Sequence, residues 1–352
     1  MPRAAFAARL LRWYDAGRRD LPWRRTGDPW AIWVSEVMLQ QTRVEAVRDS
    51  WERFVARYPT PAAFARIGDD ELMNAWRGLG YYRRARLLRD GARVVADRHQ
   101  DRLPDDPEAL GALPGVGAYT RGAIASIAFG RPEPAIDGNV ERVVARHRAL
   151  REPVAGAAVR RAIEATVRGW LDRRRPGDFN QALMELGATV CTPRAPRCAQ
   201  CPVAADCDGR RQGLQAALPV ARPRPAPIDV DARALVVAAG GRVLAFRVPD
   251  DEPNRGQWEL PGPGILRSVD PADLEAVVAA RCGARLAVGA AIATVRHAIT
   301  RHRITLTAHT AALRGRARGA LVPKLPHDPE VPWTTPARKV FARIAGAADA
   351  RP

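Results

Sequence analysis

Leu113-Pro114-Gly115-Val116-Gly117-Ala118-Tyr119-Thr120, with Asp137 twenty positions after Gly117, is the stretch from which the rest of the chain can be read. Pro107 to Leu113 carries Leu110 and Leu113 at helical spacing, Pro114-Gly115 breaks that pattern, and Tyr119 to Phe129 starts a second helix. Two glycines two positions apart let a turn approach another molecule and aim backbone N–H groups outward beside a helix N-terminus. That arrangement suits an anion such as a phosphate. An ordinary helix–turn–helix corner is the plainer alternative, and the flanking sequence has to decide between them.

The composition narrows the choice. A chain of 352 residues has room for two or three domains, each with its own core. Lys and Arg number 56 against 38 Asp and Glu, a net charge of +18, which points to a polyanionic partner. Richness in Arg, Ala, Gly and Pro is typical of high-GC bacterial proteins, but that bias alone does not create so large a cationic excess. Lys324 and Lys339 are the only lysines, so chemistry in the first 320 residues cannot use a lysine amine. No apolar run is long enough to span a bilayer, and Met1 to Phe6 lacks the apolar core of a secretory signal. A cytoplasmic, nucleoid-associated location is therefore expected. In that compartment the five cysteines read as metal ligands rather than disulfides.

Working outward toward the N-terminus, residues 4 to 16 read as an amphipathic helix, and Pro22 ends regular structure in Arg19-Asp20-Leu21-Pro22-Trp23-Arg24. Trp30 to Val47 reads as one helix, with Glu36, Gln40 and Arg43 on a single stripe. That stripe is either a solvated face or the setting of a proton donor: a carboxyl among Trp and Met side chains has the raised pKa that a donor needs at neutral pH. Helices are also expected over 51–58, 61–67, 69–76 and 82–98. Gly78-Leu79-Gly80-Tyr81-Tyr82 lies between the last two, with aromatics suited either to core packing or to stacking on bases.

On the C-terminal side, Asp137 stands just ahead of a helix running to about Ala149, where it fits a plain N-cap. The helix Phe179 to Val190 delivers the chain to Cys191, Cys198, Cys201 and Cys207. Four thiolates so spaced can enclose one tetrahedral metal or a cubane iron–sulfur centre, and the lone Cys-x-x-Cys knuckle favours iron–sulfur over zinc. Alternating prolines in Leu218 to Pro227 mark an extended linker. Beyond it the pattern turns strand-like: 234–238, a Gly240-Gly241 hairpin, 243–246, then 293–297 and 304–310, with helices over 273–281 and 336–344.

Taken in order, LPWR (21–24), SEVMLQQT (35–42), GLGYY (78–82), LPGVGAYT (113–120), IDGNV (136–140), FNQALMELG (179–187) and the four-cysteine spacing resemble the adenine DNA glycosylases of the MutY family, within the helix-hairpin-helix glycosylase superfamily. The resemblance implies a mainly α fold of two helical subdomains with the active site between them and a 4Fe–4S loop, followed by a C-terminal α+β domain similar to MutT (Nudix-like). The expected divisions are a catalytic domain over 1–217 with its cluster loop at 191–207, a linker over 218–228, and an 8-oxoguanine recognition domain over 229–352.

The implied activity is base excision repair: hydrolysis of the N-glycosidic bond of adenine mispaired with 8-oxoguanine or guanine in double-stranded DNA, by a monomer that flips the nucleotide out. By the family match Glu36 is the general acid, Asp137 stabilises the cationic sugar and Asn139 orients both. Arg19, Trp23, Arg24, Gln181 and Met184 align with positions that shape the adenine pocket. Gln41 and Tyr82 align with residues that wedge into the duplex. Gly115 and Gly117 would hold backbone phosphate, Arg194 and Arg197 would add basic contact, and Cys191, Cys198, Cys201 and Cys207 would ligate the 4Fe–4S cluster.

Tyr119 stands where the related endonuclease III enzymes carry a catalytic lysine, so a monofunctional glycosylase without efficient lyase activity is expected. In the second domain Gly256-Gln257-Trp258-Glu259-Leu260-Pro261-Gly262 matches the MutT-like segment, while the acidic metal-binding helix is missing, which implies recognition rather than hydrolysis. By the resemblance, the family's Phe-Ser-His loop beside 8-oxoguanine is replaced by Ile299-Thr300-Arg301, with Thr300 and Arg301 as its expected contacts, or, in a register one residue later, with His302 in the histidine role. A thymine-directed or strand-cutting relative, a silent DNA binder and a nucleoside triphosphatase are the competing readings. Tyr119, the Glu36–Asp137 pair and the missing metal carboxylates, respectively, disfavour them.

Overall fold

The computed structural model describes residues 3–220, 225–315 and 320–348, so part of the expected linker (221–224) lies outside the described residues. The chain divides into two compact units, Met1–Ile67 with Gly78–Pro223, and Gly68–Arg77 with Arg224–Pro352.

The first unit is helical. Its helices are α1 (Arg3–Gly17), α2 (Pro29–Leu39), α3 (Val44–Arg57), α4 (Pro61–Ala65), α6 (Arg83–Arg98), α7 (Pro107–Gly111), α8 (Ala118–Ile127), α9 (Gly138–His147), α10 (Ala157–Trp170), α11 (Pro176–Thr189) and the short α12 (Asp208–Arg211); α5 (Asp69–Ala75) falls in the second unit. One core is built by α1, α9, α10 and α11 around Leu10, Val144, Ile163, Phe179 and Leu183. Phe6 stacks on Trp170 in it at 4.0 Å between ring centroids. The sequence reading passes over α10, although Val159, Ile163, Val167 and Trp170 recur at helical spacing and are buried.

The other helical group surrounds α2, in which every residue from Trp30 to Met38 is buried. Asp28 caps its start by accepting from the backbone N–H groups of Trp30 and Ala31. The indole N–H of Trp30 donates to Tyr58 O at 2.8 Å and that of Trp51 to Ala31 O at 2.9 Å, whereas the indole N–H of Trp33 is buried without a partner. The expected single helix from Trp30 to Val47 is not formed. α2 stops at Leu39, Gln41 takes a left-handed φ of 59°, and α3 begins at Val44. The cause lies elsewhere in the chain: Nη1 of Arg84 on α6 accommodates the carbonyls of Val37, Met38 and Gln40 at 2.7, 2.9 and 2.6 Å, satisfying the open end of α2. Gln40 and Arg43 therefore do not continue the stripe of Glu36.

The central stretch forms the expected hairpin, with α7 capped by Asp106 and α8 starting after Gly117. Gly115 needs to be glycine, since its φ is +79° and a Cβ would lie 2.8 Å from Leu87 Cβ. Gly117 has an ordinary φ of −85° and serves as the N-cap position. α8 is braced against the extended segment before Asp137. Asn180, fully buried on α11, accepts from Ala135 N at 3.1 Å and donates to Ser126 Oγ and Glu133 O, both at 2.8 Å.

The second unit contains two sheets. In one, β1 (Ile228–Val236) runs parallel to β6 (His302–Arg314), which pairs antiparallel with β5 (Arg285–Ile299). In the other, β3 (Arg242–Arg247) pairs with β2 (Ala238–Ala239), β4 (Trp258–Glu259) and β7 (Leu321–Lys324). The Gly240-Gly241 turn forms as read, with both φ angles positive at 55° and 75°. β5 starts eight residues before the expected 293 (Arg285 against 293). Its first half is Ala- and Gly-rich and carries register shifts between Val288 and Ala293, so neither propensity nor alternation announces it. α13 (Leu274–Cys282) ends at left-handed Gly283, and α14 (Thr335–Ala348) closes the described chain.

Helix packing on bare backbone yields a stability test. A Cβ on Gly122 would sit 2.0 Å from the carbonyl oxygen of Pro134, whereas one on Gly346, also helical, meets nothing within 4 Å. Gly122→Ala should destabilise the protein by roughly 2 kcal/mol or more. Gly346→Ala should be neutral or stabilising by up to about 1 kcal/mol. Thermal and urea denaturation of the two variants measures the difference.

Candidate active site

A pocket of about 530 Å³ opens in the first unit where the end of α2, the start of α8, the start of α9 and the middle of α11 converge. Glu36, Tyr119, Asp137 and Asn139 all line it. Glu36 occupies the last turn of α2 and is only 5% exposed. Tyr119, in the first turn of α8, donates its hydroxyl to Glu36 Oε2 and stands 3.4 Å from Met184 Sδ. Burial raises the Glu36 carboxyl to about 7; the Tyr119 hydrogen bond opposes the rise, the Asp137 charge adds to it, and Arg24 opposes it. Burial, then the neighbouring carboxylates, also lift Tyr119 well above the ordinary tyrosine value, so its hydroxyl keeps its proton.

Asp137 does serve as the N-cap of α9, and its cap geometry aims it. Oδ1 accepts from Asn139 N at 2.9 Å and Val140 N at 2.8 Å, while Oδ2 accepts from Asn139 Nδ2 at 2.7 Å. Burial raises its pKa, against the pull of these donors and of Arg142. Arg142 extends the network: Nη2 donates to Asn139 Oδ1 and Gly187 O, and Nε to Cys191 O, each at 2.8 Å. One guanidinium thus joins the orienting amide to the first cysteine of the cluster.

The walls bring together the other expected pocket residues: Arg19, Trp23, Arg24, Gln41, Gln181 and Met184. Gln41 is exposed at the turn after α2, held out by its left-handed backbone. Glu185 was not singled out in the sequence. Its buried carboxylate takes Arg19 Nε and Nη2 at 2.7 Å and Arg24 Nη2 at 2.9 Å. The i, i+3, i+4 spacing of Gln181, Met184 and Glu185 on one helix was the available signal, but it does not name the partners of Glu185.

Other expected residues lie away from this pocket. Gly115 and Gly117 form the hairpin turn, and both are exposed. Tyr82 is the half-buried N-cap of α6, while its neighbour Tyr81, with φ 47°, is 51% exposed. Of the two tyrosines it is Tyr81 that stands free to meet a partner. Thr300 and Arg301 form the exposed β5–β6 turn in the second unit, with Thr300 at φ 51° and its hydroxyl donating to Ile299 O at 2.8 Å.

Cys191, Cys198, Cys201 and Cys207 line one common cavity and form no disulfide. Among the described residues no group of three or more His, Cys, Asp or Glu side chains is arranged to hold a single metal ion. The four thiols share one cavity, a donor set that fits an iron–sulfur centre. Arg146 secures their loop by donating to Thr192 O at 2.7 Å, Pro193 O at 2.9 Å and Leu218 O at 2.8 Å. Arg194 and Arg197 are exposed beside it.

Residues 34–168, which include Glu36, Tyr119 and Asp137 but not the cysteines, match the family model of the HhH-GPD superfamily base excision DNA repair protein. The chain is 46% identical over 217 residues to the human adenine DNA glycosylase, a match covering 59% of this chain and 40% of that protein. The chain thus spans about two fifths of the length of its human relative. Among solved structures, a thermostable thymine-DNA glycosylase superposes with a TM-score of 0.54 at 28% identity, over 60% of this chain and 97% of the other. The adenine DNA glycosylase of Mycolicibacterium smegmatis is 45% identical over 208 residues, covering 59% of this chain and 70% of that relative. On a likeness of that depth across most of a relative's length, the chain belongs to the adenine DNA glycosylase family.

Proposed function

We propose that the protein is a base excision repair enzyme that hydrolyses the N-glycosidic bond of adenine paired with 8-oxoguanine or guanine in duplex DNA, leaving the strand uncut. The observation that carries this reading is Glu36: a buried carboxyl with its pKa near 7, sharing one pocket with Asp137. Breaking C1′–N9 sends the bonding electrons to the base and leaves a cationic sugar. Protonated Glu36 donates its proton to adenine N7, which makes the purine a neutral leaving group. Asp137, aimed by Asn139 and two backbone N–H groups, faces the positive charge. Water then adds its hydroxide to C1′ and returns a proton to Glu36, so the enzyme is restored. Tyr119 supplies a hydroxyl in place of an amine, and no lysine precedes Lys324, so a Schiff base with the opened sugar is not formed.

The net charge of +18 suits duplex DNA as partner, and the exposed Gln41 and Tyr81 are placed to enter the base stack. The second unit, as a MutT-like module, would read the opposite base through its Thr300–Arg301 turn. The four cysteines would hold a 4Fe–4S cluster, which anchors the loop carrying Arg194 and Arg197 and takes no part in bond cleavage.

Glu36→Gln should abolish adenine release in a single-turnover assay while leaving duplex binding within a few-fold of wild type; a variant that still turns over removes the acid role from Glu36. Because burial raises this carboxyl, its proton is present at low pH and lost through about pH 7, so the wild-type rate should fall above that value. The unfolded carboxyl already ionises near 4.5, so melting temperature should decline between about pH 4.5 and pH 7, more steeply in wild type than in Glu36→Gln, and the difference should level off above pH 7.

Duplexes with adenine opposite 8-oxoguanine or guanine should break at the excision site only after hot alkali. Breakage at enzymatic rates without alkali would assign a lyase. Purified protein should contain iron and acid-labile sulfide in equal amounts, both lost in Cys198→Ser; stoichiometric zinc in their place would overturn the cluster assignment.

A further inference from the structure

We propose that Glu185, through its ion pairs with Arg24 and Arg19, shields the general acid Glu36 from the positive charge of the pocket wall and so keeps it in the proton-donating form. This rests on the reading of Glu36 given above and assigns a positioning role to a residue outside the catalytic set.

The geometry is that of a fixed counter-ion. Glu185 has a side-chain exposure of 2% and accepts from Arg19 through both oxygens, at 2.7 Å each, and from Arg24 at 2.9 Å. Arg24 is itself held, at 11% side-chain exposure, with Nη1 donating to Arg19 O at 3.0 Å and its guanidinium 5.3 Å from the Tyr14 ring. Among the described residues Glu185 is the only carboxylate ion-paired with Arg24. Two cations therefore share one anion on a wall of the pocket that also contains Glu36.

The groups facing Glu36 are Tyr119 from α8, Asp137 from the segment before α9, Arg24 from the turn at Pro22–Arg24, and Glu185 with Arg19 from the α11 side. Of these Arg24 is the one that favours the ionised carboxylate by its charge. Burial works to raise Glu185, but the hydrogen bonds and charges of Arg19 and Arg24 outweigh it and leave the group below the ordinary glutamate value. Glu185 thus stays an anion throughout the range in which Glu36 titrates. Removing its charge leaves Arg24 unneutralised beside Glu36. The acid then loses its proton at lower pH, and the alkaline side of the rate profile moves down.

The test is single-turnover adenine release from about pH 5 to pH 9 by wild type, Glu185→Gln and Glu185→Asp, with folding checked by circular dichroism. In Glu185→Gln the alkaline limb should shift down by roughly half to one pH unit, so that the rate falls about 3- to 10-fold more at pH 8 than at pH 6. Glu185→Asp, which keeps the charge, should retain the wild-type limb. A Glu185→Gln limb that stays in place while the plateau drops would overturn the inference, leaving Glu185 a packing residue. If Glu185→Gln does not fold, Arg24→Gln carries the test with the opposite sign: its limb should move up, and one that stays or moves down refutes the shielding. A wild type with no alkaline limb, or a Glu36→Gln variant that turns over, instead removes the acid assignment on which the inference rests.

Discussion

The structure depends on keeping one carboxyl dry enough to hold its proton near neutrality and still open on one side to a ligand. Glu36 meets both demands because α2 is buried along its length and ends one turn beyond it. A longer helix would continue through the space where the pocket lies. The end is imposed by Arg84, whose guanidinium takes the carbonyls that a further turn would have used and also donates to Leu79 O at 2.9 Å, tying the end of α2 to the Gly78–Tyr82 loop. The exposed Gln41 and Tyr81, both left-handed, project from the two segments so joined.

Around that carboxyl the charges are arranged in opposition. Asp137 discourages ionisation of Glu36, and Tyr119 and Arg24 encourage it. Asp137 in turn is a half-buried carboxylate supported by helix-end N–H groups, a low-cost way to hold negative charge without a direct ion pair. The nearest guanidinium, that of Arg142, reaches Asp137 only through the Asn139 amide and spends its other donors on Gly187 O and Cys191 O. α9 therefore carries the Asp137 carboxylate at one end and, through Arg142 and Arg146, the cysteine loop along its length.

Much of this was legible in residues close together in sequence. The Pro-Gly break between α7 and α8, Asp137 ahead of α9 and the Gly240-Gly241 hairpin are local patterns, and each formed where it was read. Local propensity also misled: Gln40-Gln41-Thr42-Arg43 holds neither Gly nor Pro, so no helix breaker there marks the end of α2. Of the paired tyrosines the sequence singles out Tyr82, whereas the left-handed turn at Tyr81 makes Tyr81 the more exposed of the two. The Ala- and Gly-rich start of β5 carries no strand signal, and its pairing with β6 supplies what propensity lacks.

By itself the sequence determined the kinds of chemistry available: two candidate carboxylates, a tyrosine in the central hairpin with no lysine before Lys324, four thiols in one loop and a cationic excess. Only the tertiary structure decided which of these groups share a space and what holds each in its working state. The partner that ends α2 lies 47 residues from Val37, and the carboxylate that binds Arg19 lies 166 residues away. Buried polar groups must find partners wherever the fold brings donors and acceptors together, and no pattern along the chain encodes contacts at that separation.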